Sequence, residues 1–148
     1  MNYQLAPSLF TRHYVVMTKK QAAYVSSQKL GFEGERRAVR YLRGKKMRII
    51  EQNWRPSGAY HGFELDIVAQ DGDTLVFVEV KTRSTDKNIP IYTAFSRQKQ
   101  HKMHKAAQLY LQSTGQWQAP CRFDLICICG ENPRTFTIQH YEHVIEFG

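Results

Sequence analysis

The chain has 148 residues, enough for one domain with a real core and too few for two comfortable ones. Its 21 Lys and Arg outnumber 13 Asp and Glu, so the formal charge is +8 and the isoelectric point is near 9.5. No stretch approaches the roughly 20 apolar residues of a membrane-spanning helix, which leaves a charge balance that points toward polyanions.

Residues 1–20 mix Pro7, Ser8 and scattered charges without clean periodicity. They read as a flexible or loosely docked extension, followed by a single domain over residues 21–148. Apolar Leu9 and Phe10 give way to Thr11, Arg12 and His13, which is no signal-peptide profile. A cytoplasmic location is therefore expected. Met17, just before the organised part, would serve as a later start.

From about Gln21 to Gly44 the pattern is helical. Ala38, Tyr41 and Leu42 form a buried stripe, with Arg36, Arg37, Arg40 and Arg43 mostly outside it. Gly31 and Gly34 weaken the middle, and Gly44 suits the C-terminal cap. Met47 to Asn53 reads as a first strand, and Trp54 to Gly62 as a loop rich in turn formers. Phe63 to Gln70 is the second strand, Asp71-Gly72-Asp73 a hairpin turn, and Thr74 to Thr82 the third strand.

Residues 83–95 form a polar loop. Ser96 caps a second helix that runs to Ser113, with Met103, Ala106, Ala107, Tyr110 and Leu111 on its apolar face and Gly115 beyond its end. Arg122 to Cys129 is the fourth strand. Short apolar pieces, Thr135 to Gln139 and Val144 to Phe147, close the chain. The order is α-β-β-β-α-β. Cys121, Cys127 and Cys129 lack CxxC spacing, and Cys127 and Cys129 share one face of a strand as small apolar residues.

Three charges interrupt otherwise Val/Ile/Phe-rich strands: Asp66, Glu79 and Lys81. An unpaired buried charge is costly, so each needs a partner or an ion. Side chains alternate along strands. A two-residue loop at Gly72-Asp73 sets Asp66 directly opposite Glu79; one at Asp71-Gly72 sets them diagonal. Either register keeps Asp66, Glu79 and Lys81 on one face, with β-carbons roughly 5 to 8 Å apart. A three-residue loop without a bulge would reverse the parity.

Two carboxylates, a backbone carbonyl such as that of Val80, and waters are what Mg²⁺ takes. Such an ion serves phosphodiester hydrolysis, with Lys81 orienting water or offsetting charge on the phosphorane. The competing interpretation is a cross-strand ion pair on an exposed hairpin. Glu35 is a further candidate, though by spacing alone it reads as a solvated helix residue beside Arg36 and Arg37. Glu64 shares the face of Asp66 and would assist a metal or pair with Lys81.

The second helix opens with Arg97, Lys99 and Lys102, cations suited to phosphate. Trp54 and Arg55 would stack on or contact an extruded base, or Trp54 would join the core. Arg55, Arg83, Arg97, Lys99 and Lys102 are the candidate nucleic-acid contacts. His61 reads as a loop bystander, and His101 and His104 lack an accompanying carboxylate.

Gly31-Phe32-Glu33-Gly34-Glu35, Asn53-Trp54-Arg55, Glu64 to Ala69, Asp71 to Arg83, Lys99-Gln100 and Arg122-Phe123-Asp124 together resemble the YraN-like family of small bacterial proteins. That family is similar to the PD-(D/E)XK nucleases and, in its core, to Holliday-junction resolvases. The resemblance implies a restriction endonuclease-like α/β fold, a central mixed sheet flanked by helices. It implies Asp66 as first acid, Glu79-Val80-Lys81 as the E-x-K element, and Glu35 as an auxiliary ligand. The expected function is Mg²⁺- or Mn²⁺-dependent cleavage of DNA, branched DNA included. The alternative is a nucleic-acid-binding protein of that fold without turnover, and a third expectation is a basic scaffold for a protein partner. Two-strand cutting would use two sites, which makes a homodimer attractive. One departure is the longer loop before Glu64, where Phe63 replaces the usual glycine.

Overall fold

A computed structural model describes residues 18–58, 60–84 and 95–145. The extension expected over residues 1–20 falls outside them up to residue 17, as does most of the loop expected over residues 83–95. The described elements are α1 (Lys19–Gly44), β1 (Arg48–Trp54), β2 (Leu65–Asp71), β3 (Thr74–Arg83), α2 (Arg97–Thr114), β4 (Cys121–Cys129), a 3-10 turn (Pro133–Thr135) and β5 (Thr137–Ile145).

The five strands form one mixed sheet in the order β1-β2-β3-β4-β5. β1, β2 and β3 run antiparallel in sequence, β4 is parallel to β3, and β5 is antiparallel to β4. A parallel pair needs a long crossover, and α2 provides it. The chain is thus α/β, α-β-β-β-α-β-β, the restriction endonuclease-like arrangement of a mixed sheet between helices.

β3 lies between β2 and β4 and is buried on both faces from Leu75 to Val80. That is why its sequence is nearly continuous in hydrophobic residues rather than alternating. One face packs Phe77, Phe123 and Leu125 against Met103, Ala106 and Tyr110 of α2. The other packs Val76, Val78 and Ile126 against Ala38, Val39 and Leu42 of α1. Ser96 caps α2 by accepting from Lys99 N at 3.3 Å, and Gly115 ends it with φ 68°.

Two elements depart from the expectation. Gly44 belongs to α1, and the left-handed residue after the helix is Lys46, at φ 66°. Its neighbour Met47 donates back to Leu42 O at 3.0 Å, satisfying a terminal carbonyl, and its side chain is buried. The two short closing pieces are one edge strand, β5, because His140 in the polar interruption is tied to the core.

That tie is a buried ionic cluster on the α1 side. Asp124 is 0 % exposed and accepts from Arg122 Nε at 3.1 and 3.2 Å and from His143 N at 3.2 Å. His140 Nε2 lies 3.0 Å from it. Arg122 also donates to Asp71 at 2.8 Å, and Tyr41 of α1 sets its ring edge against His140.

α1 approaches β3 closely at Gly34, where any Cβ would overlap the Thr82 side chain and lie 2.9 Å from Thr82 Cβ. Gly34→Ala should therefore destabilise by about 1–3 kcal/mol, although alanine is the better helix former by ~1 kcal/mol. Urea titration should show that loss, partly restored by adding Thr82→Ala. Asp124→Asn, which leaves Arg122 without its buried counter-charge, should cost about 3–5 kcal/mol in the same measurement.

Candidate active site

The β2–β3 hairpin turns through Gly72-Asp73, because Asp71 pairs with Thr74. Gly72 has φ 56°, a conformation glycine takes without steric cost. The ladder then runs to Ile67 opposite Val78, and one further step brings Asp66 opposite Glu79. Of the two registers the sequence allowed, this is the directly opposed one. Asp66 Oδ2 accepts from Val80 N at 2.8 Å, so the acid closes the ladder where backbone pairing ends. Val80 thus meets Asp66 through its N–H, a different group from the carbonyl expected as a metal ligand.

Glu79 is only 2 % exposed. Each carboxylate oxygen takes one ammonium: Lys81 Nζ lies 2.7 Å from Oε1 and Lys99 Nζ 2.9 Å from Oε2. Lys81 comes from the same strand face and Lys99 from the first turn of α2. Burial, the largest single influence, lowers the Lys99 pKa, but the charge and hydrogen bond of Glu79 together with the charges of Asp66 and Glu64 outweigh it, and the net shift is upward. Lys99, expected among the phosphate contacts, is instead turned inward.

Burial and the facing charge of Glu79 push the Asp66 pKa up to about 7. The Val80 N–H and Lys99 act in the opposite direction without cancelling that rise. Glu35 is raised as well, first by burial, while its hydrogen bond from Asn53 at 3.4 Å opposes and the charges of Glu64 and Glu79 add to the rise. Close packing at Gly34 brings this residue toward the sheet. Glu35 is therefore not a solvated partner of Arg36, which pairs with Glu33 instead. Acids from α1, β2 and β3 thus sense one another's charge.

Of the other candidates, Glu64 pairs with Arg55 at 3.1 Å and not with Lys81. Arg83, Arg97 and Lys102 are exposed, and so is His61. Arg55, His61 and Glu64 line a cavity of about 310 Å³ with Tyr60 and Phe63. Trp54 belongs to the core, its ring edge-on to Tyr110 at 5.3 Å. His104 lies against Phe123, with ring centroids 6.0 Å apart. All three cysteines are thiols outside any disulfide, and Cys127 is buried.

The donors suit a hard divalent cation: facing carboxylate oxygens whose repulsion an ion would relieve. Two features bear on the fit. Both Glu79 oxygens are engaged by ammonium groups. Among the described residues, no three His, Cys, Asp or Glu side chains are already grouped as ligands. An ion would therefore be held by Asp66 and Glu79, with water completing its shell, once an ammonium withdraws from Glu79.

Sequence reasoning missed two participants, Asn53 and the inward role of Lys99. The second had a signal. A lysine in a helix's first turn opposes the macrodipole, and α2 carries no acid there to offset it.

The Asp66 shift makes stability depend on pH. With the folded pKa above the unfolded value of 3.8, the unfolded chain ionises first as pH rises. Stability contributed by neutral Asp66 is full below about pH 4 and lost progressively up to about pH 7. Asp66→Asn should remove this loss, gaining a few kcal/mol over wild type at pH 8 (~1.4 kcal/mol per pKa unit) and little at pH 4. Urea melts of both proteins across that range check the sign.

The model of the uncharacterised protein family UPF0102 matches residues 34–128, a span that holds Glu35, Asp66, Glu79, Lys81 and Lys99. A UPF0102 protein of Lawsonia intracellularis is 40 % identical over 123 residues, covering 83 % of this chain and 89 % of that protein. One from Chlorobium limicola is 42 % identical over 118 residues, covering 76 % and 88 % respectively. One from Pseudomonas fluorescens is 41 % identical over 106 residues, covering 71 % and 83 %. With the family model spanning most of the sheet and the relatives most of both chains, this chain belongs to UPF0102, the YraN-like family.

Proposed function

We propose that the protein is a Mg²⁺- or Mn²⁺-dependent endonuclease that hydrolyses phosphodiester bonds of DNA, branched DNA included. The observation that carries this reading is the direct opposition of Asp66 and Glu79 across a hairpin, with Lys81 on the same face, inside an apolar sheet. Burying two carboxylates face to face costs stability, and the raised pKa of Asp66 records that cost.

Asp66 and Glu79 would hold the divalent cation, which would supply Lewis-acid polarisation of the phosphate and activation of water. The chain's own groups do the rest. The Val80 N–H fixes the Asp66 carboxylate, so one oxygen is oriented by the sheet. Lys81, beside Glu79, holds a proton-rich donor where negative charge develops on the phosphate. Glu35, restrained by Asn53, is an auxiliary carboxylate. Exposed Arg83, Arg97 and Lys102, with Arg55 near the loop cavity, position the polyanion through its phosphates. A +8 chain attracts that partner at long range.

One observation favours a second reading. Glu79 is neutralised by two lysines and so is stable without an ion. A protein built that way would bind nucleic acid without turnover.

Incubation of purified protein with branched and linear DNA separates the two. Cleavage in Mg²⁺ or Mn²⁺ that stops in EDTA, and falls about 100-fold or more in Glu79→Gln, is the expected result. Metal-independent DNA binding with no cleavage in any arm would establish the second reading instead.

A further inference from the structure

We propose that Lys99 is a tethered cation that competes with a divalent ion for Glu79, leaving Oε2 when the ion enters. The proposal rests on the metal-dependent reading of Asp66 and Glu79.

Charge accounting motivates it. Lys81 alone matches the single charge of Glu79, which it contacts at 2.7 Å. Lys99, at 2.9 Å from the other oxygen, is a second ammonium on the same carboxylate. Its surplus charge balances Asp66, with which it also interacts. Asp66, Glu79 and the auxiliary Glu35, counted as ionised, carry three negative charges against the two ammoniums. Adding a divalent ion to that set would leave one excess positive charge in a largely buried place, which low polarisability penalises. Loss of one ammonium removes that excess.

The fold selects which lysine leaves. Lys81 is fixed in β3, where it pairs in register with Cys127 of β4. Lys99 stands on a separate element, in the first turn of α2, and its side chain crosses from helix to strand. A cation at that turn is disfavoured by the helix dipole, so its inward placement depends on Glu79. Its outward alternative lies beside exposed Arg97 and Lys102, where phosphate would take the charge.

The test is Mn²⁺ binding to the full chain without DNA, read by electron paramagnetic resonance of free MnCl₂. Lys99→Gln should bind Mn²⁺ about ten-fold more tightly than wild type. In wild type, saturating Mn²⁺ should raise labelling of Lys99 by an amine-reactive reagent, read by peptide mass spectrometry. Equal or weaker Mn²⁺ affinity in Lys99→Gln overturns the proposal, as does Lys99 labelling unmoved by bound Mn²⁺. If Lys99→Gln does not fold by circular dichroism, the wild-type labelling decides alone. The failures are distinguishable: Mn²⁺ bound equally by both proteins sinks only the role of Lys99. No Mn²⁺ bound by either protein sinks the metal-dependent reading with it.

Discussion

Much of this structure follows from one buried charge. Glu79 sits in the central strand of the sheet, with helices on both faces and almost no exposure. Removing a carboxylate from water costs several kcal/mol, whereas an ordinary surface ion pair returns about 0–1 kcal/mol. The fold must therefore bring cations to it. Lys81 arrives by strand alternation, and Lys99 arrives because the β3–β4 crossover lays the start of α2 over the same face. A hydrophobic residue would serve a purely structural strand at lower cost. An acid there, opposite a second acid, works against stability, which is the cost the proposed chemistry would explain.

The geometry also separates scaffold from site. On the α1 side, Arg122, Asp124 and His140 form a buried cluster that ties β4 to β5, and Tyr41 of α1 packs against it. On the other side, the paired acids stand where β2 pairing ends and α2 begins. Alternate residues of β4 serve the two functions: Asp124 faces the cluster and Leu125, level with Glu79, faces the α2 core. The region that matches the family model, residues 34–128, opens at the glycine that lets α1 approach β3. It includes Asp124 but ends before His140. Every acid and lysine discussed for the site lies within it, while part of the anchoring cluster does not.

Local chemistry made much of the fold legible. Ser96 and Gly115 delimit α2 because a hydroxyl cap and a left-handed glycine act within a single turn. Gly72-Asp73 marks the hairpin for the same reason, and alternation then places Asp66, Glu79 and Lys81 on one face whichever two-residue register is taken. Lys46, β5 and the Arg122-Asp124-His140 cluster were not legible. Each depends on contacts distant in sequence: Met47 buried against the sheet, and a histidine held by an aspartate 16 residues earlier.

The first six elements in order, the placing of Asp66, Glu79 and Lys81 on one face, and the basic charge were determined by the sequence alone, since period, turn chemistry and composition are local or additive properties. Tertiary structure decided the register, the approach of Glu35 through Gly34, and the inward turn of Lys99. A lysine in a helix's first turn has the same local preferences whether it faces solvent or a carboxylate. Only the crossover that stacks α2 on β3 sets Glu79 within its reach, and the electrostatic cost of burying that acid then decides where the ammonium lies.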